Sequence, residues 1–276
     1  MSLSVIVATY RQPDWLELCL HGLAAQRDRD FEVLVADDGS GPETAARIDA
    51  VRAGTGLDVR HVWHEDDGFR KCTILNRAIL AARTDYCVFT DGDCIARADF
   101  IGVHRAQRER GRFLSGGYAK LSRTASEAIE AADVRAGRAT DYVWLRRRGA
   151  PSNRALRRLA LPRALAPLLD AVTPTRASFN GHNASAWKDD LVRVNGFNED
   201  MGYGGLDREL GERLENAGVR GKQIRHRALV VHLDHPRGYR DEAVLRRNRA
   251  IRDELAASGR TRAERGLDRH ADAPPQ

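Results

Sequence analysis

An α/β fold with a mostly parallel, Rossmann-like sheet flanked by helices is predicted by three observations. Short, nearly continuous apolar runs alternate with helical segments through the first hundred residues. Runs lacking every-other-residue polarity mark strands buried on both faces. Each run ends in polar residues, which puts Thr9, Asp38, Asp66 and Asp91 at strand carboxyl ends, where open α/β sheets bind ligands. The chain, at 276 residues, can form one large α/β domain or two small ones and bury a substantial core.

Taken in order, residues 3–8 form the first strand, ending in Thr9-Tyr10-Arg11, and Pro13 opens a helix carrying Leu16, Leu20, Leu23 and Ala24. Residues 31–36 form the next strand, ending in Asp37-Asp38-Gly39-Ser40; a helix follows from Glu43, and 59–64 reads as a third strand. Ile74, Leu75, Ala78, Ile79 and Ala82 make one stripe of a helix over 71–82, and 86–90 is the fourth strand. A helix over 99–110, a strand over 113–121 broken by Gly116-Gly117, and a helix over 126–138 follow. Residues 144–174, rich in Arg, Leu, Ala and Pro, lack strand alternation and read as a partly helical insertion broken at Pro151, Pro162, Pro167 and Pro174. Regularity returns with a short strand at 183–187, a short helix at 188–194, a helix at 206–217 stopped by Gly218, and a last apolar strand at 228–233. A basic helix spans 241–258, and the residues through Ala273-Pro274-Pro275-Gln276 read as disordered.

The formal charge is +6, from 45 Lys and Arg against 39 Asp and Glu, and its excess is concentrated in Arg146-Arg147-Arg148, Arg154, Arg157-Arg158 and Arg163. Such a run is either a solvated face or a surface for an anionic partner. No zinc-finger spacing, aromatic RNA-binding pattern or repeat supports nucleic acid. Cys19, Cys72, Cys87 and Cys94 lack C-x-x-C spacing and are expected to be reduced and buried. No window approaches 18 uninterrupted apolar residues and no signal-peptide pattern opens the chain, so it reads as cytoplasmic, at most attached to the inner face of a membrane.

Asp91-Gly92-Asp93 stops the fourth strand with two carboxylates one residue apart. In extended chain, residues i and i+2 lie about 6 to 7 Å apart, so aiming both acids at one point needs a turn, which Gly92 permits. The motif is either an ordinary turn or a pair of ligands for a hard cation such as Mg²⁺ or Mn²⁺, whose shell substrate phosphates commonly complete.

Several ordered blocks together resemble family 2 glycosyltransferases of the GT-A fold. These are Val7-Ala8-Thr9-Tyr10-Arg11, Val35-Ala36-Asp37-Asp38-Gly39-Ser40, Asp67-Gly68-Phe69-Arg70-Lys71 with Asn76, and Asp91-Gly92-Asp93 as the D-x-D. On the acceptor side they are Gly181-His182-Asn183-Ala184-Ser185, Gly196-Phe197-Asn198-Glu199 and Gly204-Gly205-Leu206-Asp207-Arg208-Glu209-Leu210. The resemblance implies a nucleotide-sugar-binding half over 1–118, a helical basic insertion over 119–177, an acceptor-binding and catalytic-base half over 178–258, and a polar tail over 259–276.

It also implies roles. The donor would be a UDP-sugar, with Thr9, Tyr10, Arg11, Asp38 and Arg70 around the nucleotide and Asp91 and Gly92 at the ribose or metal. Asp93 would bind Mn²⁺ or Mg²⁺, joined by His232, with His235 as second choice, and the cation would neutralise the departing diphosphate. Asp207 would be the general base of an inverting transfer to a hydroxyl of a saccharide or lipid-linked saccharide, as in surface polysaccharide assembly. Where the family usually carries Glu-Asp, this chain has Leu206-Asp207, which keeps the base and drops its neighbouring carboxylate. Glu209 is expected on the helix surface and Trp187 in the core.

Two rival readings are a sugar-phosphate nucleotidyltransferase and a non-catalytic carbohydrate- or membrane-binding module. The first favours a Gly- and basic-rich loop after the first strand, which Thr9-Tyr10-Arg11-Gln12-Pro13 is not. The second predicts loss of Asp38, Asp91, Asp93 and Asp207, all of which are present.

Overall fold

The computed structural model describes residues 2–235 and 241–271. Among the described residues ten strands lie in chain order: β1 (Leu3–Thr9), β2 (Phe31–Asp37), β3 (Val59–Trp63), β4 (Tyr86–Asp91), β5 (Cys94–Ala96), β6 (Arg112–Ser115), β7 (Gly117–Lys120), β8 (Ala184–Trp187), β9 (Arg220–Gln223) and β10 (Leu229–His232). Seven form one mostly parallel sheet in the order β3-β2-β1-β4-β8-β6-β9, and β5-β10-β7 form a second.

The central strands are buried throughout because helices cover both faces. Along β1 the pleat sends Leu3, Val5 and Val7 into one core, with the helices Pro13–Ala24 and Pro42–Thr55, while Ile6 and Ala8 enter the other, with Lys71–Ala81 and Leu206–Asn216. The chain leaves β1 toward β2 on one side and returns to β4 on the other, so a crevice opens at the carboxyl ends of these strands. Registers of Thr9 with Asp37 and Ala8 with Asp91 bring three predicted site segments to that crevice.

Two strands carry no sequence signal. β5 is only Cys-Ile-Ala, and β9, Arg-Gly-Lys-Gln, is defined by its parallel pairing with β6. The expected helix over 126–138 is two short ones, Arg123–Glu127 and Ala131–Arg135, separated by a turn in which Glu130 and Asp133 cap the second reciprocally. Pro167 lies in the first turn of helix Ala166–Val172, where a missing N–H costs nothing, so it starts a helix rather than breaking one. The insertion packs Leu121, Ala125, Ile129, Leu145 and Leu156 against Ile95, Val231 and Leu233, which makes it the cover of the second sheet. All four cysteines are free and buried.

Residues 259–271 fold back on the second half of the chain: Leu267 joins the second core, and the Arg265 carbonyl accepts from the Glu199 amide at 2.9 Å. The expectation of disorder for 273–276 falls outside the described residues. Asn76 joins the two halves, donating to the Phe197 carbonyl and Glu199 at 2.9 Å each and accepting from the Phe197 amide at 2.7 Å.

Glu209, expected on the surface, is buried. Its carboxylate accepts from Arg213 Nε at 2.8 Å and from an Arg213 terminal nitrogen at 2.7 Å, and the same guanidinium caps the Val194 and Gly196 carbonyls. Turned inward with a full set of partners, the acid can be buried as a charge. Arg213→Ala strands that carboxylate and should cost about 3 to 5 kcal/mol in a urea unfolding titration. A loss below about 1 kcal/mol would mean that the pair does not hold this helix in place.

Candidate active site

The crevice is a cleft of about 600 Å³. One wall carries Thr9, Tyr10, Arg11, Asp38, Asp91, Gly92 and Asp93, and the far wall Asp207, His232 and His235. Arg70 is the one predicted site residue absent from the lining. It donates its backbone N–H to Asp38 Oδ2 at 3.0 Å, while its guanidinium turns back to the Glu65 carbonyl and Asp67.

At the base end, Asp37 and Asp38 divide the work. Asp37 is wholly buried and accepts from the Ser40 amide, the Ser40 hydroxyl and His61, which locks the turn. Asp38 faces the cleft and holds His64 Nε2 at 2.8 Å. Gly39 has φ +94°, and a Cβ there would lie 2.5 Å from the Asp66 Cα, so only glycine fits. Tyr10 and Arg11 both reach Asp66, the former at 3.2 Å, closing this rim.

Gly92 lies, with Asp93, in the turn that takes the chain from β4 to β5. Its φ is not left-handed; its amide bonds the Ala8 carbonyl at 2.8 Å, and a Cβ would press on Thr9 Oγ1 at 3.1 Å. The glycine thus also lets this turn lie close against β1.

Lys71 begins the helix Lys71–Ala81, and its Nζ lies 2.7 Å from Asp91 Oδ1. Burial works against its charge, but Asp91, Asp207 and Asp93 outweigh that and hold the ammonium well above its ordinary range. Sequence reasoning gave Lys71 no site role, although it stands in the quoted Arg70-Lys71 block.

The second sheet sets the other carboxylate. β10 pairs His232 with Cys94, and the Leu233 amide donates to the Asp93 carbonyl at 2.9 Å, so His232 and His235 arrive beside Asp93. Their rings are nearly parallel, 5.9 Å apart. His232 Nδ1 lies 2.8 Å from the Leu233 carbonyl, which puts the proton there and leaves the Nε2 lone pair facing Asp93 Oδ2 at 3.6 Å. Gln12 Nε2 lies 3.3 Å from His235 Nδ1, so His235 carries its proton on Nε2, 2.8 Å from Asp93 Oδ2. Burial works to raise the Asp93 carboxyl, but the His235 hydrogen bond and, when the rings are protonated, the charges of His232 and His235 hold it down at about 2. Cys94 Sγ shares this corner, but burial and the charges of Asp93 and Asp91 raise its thiol well above the ordinary range, which keeps it protonated and a poor ligand.

Asp207 enters from the first turn of helix Leu206–Asn216, and Leu206 before it is buried in the core. Asp207 does not cap that helix, and its Oδ1 is buried without a partner. Burial pushes its carboxyl up, Lys71 draws it down, Asp91 raises it, the Gly181 backbone and Arg208 draw it down further, and the net position is above the ordinary value. Gly181 packs on it so tightly that a Cβ would lie 2.6 Å from Oδ1.

His182, unassigned from sequence, lines the cleft with its Nε2 buried and unpartnered. Burial lowers its imidazole to about 4, so it is neutral at neutral pH. Asn183 anchors it by donating to the Gly117 and Ala228 carbonyls at 2.8 and 3.1 Å. Phe69 and Tyr203 meet edge to face at 6.1 Å within the lining, one from each half. Trp187 is core, packed on Tyr86 at 5.0 Å.

Comparison with known proteins agrees with this geometry. Residues 4–113 match the model of glycosyl transferase family 2, and residues 173–236 that of the N-terminal domain of galactosyltransferase. Validoxylamine A glucosyltransferase of Streptomyces hygroscopicus subsp. jinggangensis is 29% identical over 231 residues, covering 79% of this chain and 52% of that protein. Chondroitin synthase of Escherichia coli is 34% identical over 93 residues, 33% of this chain and 13% of that one. The chain thus spans about half the length of the glucosyltransferase, or less of the synthase.

Among solved structures, the mannosyltransferase PcManGT of Pyrobaculum calidifontis, in complex with GDP-Man and Mn²⁺, superposes with a TM-score of 0.57 at 21% identity, over 86% of this chain and 58% of that one. Staphylococcus aureus TarS in complex with UDP-GlcNAc gives 0.54 at 15% identity, over 87% and 60%. Blocks on both sides of one cleft thus match glycosyltransferase models in sequence, residues 4–113 that of family 2, and they are carried on the GT-A fold of solved glycosyltransferases.

Proposed function

We propose that the cleft transfers a sugar, with inversion, from a UDP-sugar to a hydroxyl of a saccharide or lipid-linked saccharide, as in surface polysaccharide assembly. The observation that carries this reading is Asp207: a buried carboxylate with an unpartnered oxygen, facing Asp91 and Asp93 across a cleft large enough for a nucleotide sugar. A buried acceptor atom left open costs stability and is retained where a ligand completes it. The neighbours solved with GDP-Man and UDP-GlcNAc support a nucleotide-sugar donor.

The donor's base and ribose would lie between Thr9-Tyr10-Arg11 and Asp38, whose remaining lone pairs can accept from a base N–H or a ribose hydroxyl. The residues fit a divalent cation: Asp93 and the His232 lone pair converge within 3.6 Å, with Asp91 beside them. An imidazole in the set favours Mn²⁺ over the oxygen-seeking Mg²⁺. When bound, the cation supplies positive charge to the diphosphate as it leaves. Lys71 holds Asp91 in place and adds a second positive charge near the phosphates. Asp207 takes the proton from the acceptor hydroxyl as that oxygen attacks the anomeric carbon from the face opposite the leaving group.

The test is release of nucleotide and transfer of sugar from a panel of UDP-sugars and GDP-mannose with Mn²⁺, for the native protein beside Asp93→Ala and Asp207→Asn. Absence of both from every donor would end the transferase reading. Gly181→Ala adds a finer check. Its methyl must displace Asp207, and misplacing a reacting group by about 1 Å costs about 10²-fold in rate. We expect kcat to fall by about that factor with KM for the donor unchanged; a wild-type kcat would mean that Asp207 is not the base.

A further inference from the structure

Outside the cleft, the segment over 160–176 inverts the usual placement of side chains. In helix Ala166–Val172 the buried residues are Ala166 and Asp170, and Asp170 accepts from the His226 amide at 2.9 Å and from Arg227 Nε at 2.7 Å. The polar side is therefore clamped inward. Leu165, Leu168 and Val172, spaced three and four apart on one stripe, stand 49%, 60% and 62% exposed. Pro162, Pro167 and Pro174 beside them are exposed as well. A contiguous apolar face of this kind on a folded surface marks an interaction site.

The charge along this segment is positive, although Arg163 is paired with Asp99 at 2.8 Å. Residues 142–169 hold seven arginines and no carboxylate, and Arg154, Arg157 and Arg163 are exposed next to the apolar stripe. Apolar side chains flanked by arginines match the two layers of an anionic lipid surface, acyl boundary and headgroup. We propose that this face docks on an anionic bilayer, with Leu165, Leu168 and Val172 entering the interface and the arginines on lipid phosphates.

The face also leads to the cleft. Helix Arg154–Arg157 packs on β7, and β7 carries Tyr118, whose ring meets His182 edge-on at 4.3 Å. An acceptor carried by the membrane would then approach the cleft from the His182 side. That last step rests on the transferase reading; the docking itself does not.

Co-sedimentation of the full chain with vesicles of phosphatidylcholine alone, or mixed with phosphatidylglycerol, tests the proposal. The wild type should sediment with the mixed vesicles only, and salt should release it. Leu168→Glu/Val172→Glu should weaken that binding by about tenfold or more, since both side chains are already in water and the fold loses nothing. Arg154→Glu/Arg157→Glu should weaken it similarly, and both variants should keep wild-type nucleotide release in the absence of vesicles. Equal sedimentation with neutral and anionic vesicles, or wild-type binding by Leu168→Glu/Val172→Glu, would overturn the proposal. So would a wild-type dimer that this double variant makes monomeric, with no vesicle binding in any arm.

Discussion

Asp207→Asn is expected to lower kcat for sugar transfer by about 10² to 10⁴-fold, the range for removing a positioned general base, while leaving donor binding intact. The amide is isosteric, so the contact with Gly181 survives and the loss is chemical. The same substitution should raise Tm. The folded-state value of this carboxyl is raised, so the stability it contributes is full below its unfolded value and is lost as pH rises through the folded one. At neutral pH the ionised form is thus a cost that Asn removes. The raised position also sets the acid limb of the pH–rate profile above the ordinary carboxylate range, since the base works only when ionised. A variant that loses both rate and Tm would point to a structural carboxylate instead.

Asp93→Ala should abolish Mn²⁺-dependent nucleotide release, and His232→Gln should raise the Mn²⁺ concentration needed for half activity by about 10 to 100-fold, as loss of a metal-site residue does. His235→Gln should do less, because its proton already sits on the nitrogen facing Asp93. Titrating Mn²⁺ into the metal-free protein, followed by Mn²⁺ electron paramagnetic resonance, reads these affinities without turnover. Equal losses for the two histidines would mean that the tautomers inferred from their hydrogen bonds do not choose the ligand.

How much of this was legible beforehand depended on the range of the interaction involved. β1, β2 and β4 could be read because strands covered on both faces must be apolar at nearly every position, and polar residues must end them. β5 and β9 could not: three residues carry no period, and Arg220–Gln223 becomes a strand only because β6 lies beside it. Glu209 was misplaced because an acid in a helix is normally exposed, and only the arrival of Arg213 with two further carbonyls makes its burial affordable. The same holds for the inverted helix Ala166–Val172, whose Asp170 faces inward to meet His226 and Arg227.

The sequence alone determined the α/β class and the carboxyl-end positions of Thr9, Asp38 and Asp91, because burial pattern and chain polarity are local properties. Tertiary structure decided everything that needed two distant segments to meet. It kept Arg70 out of the cleft lining and put Lys71 in it, set His232 opposite Cys94 and so beside Asp93, and left Asp207 and His182 each with a buried atom lacking a partner. A residue's type says which bonds it can make, but the protonation, burial and direction of a side chain are fixed by neighbours that only the folded chain supplies.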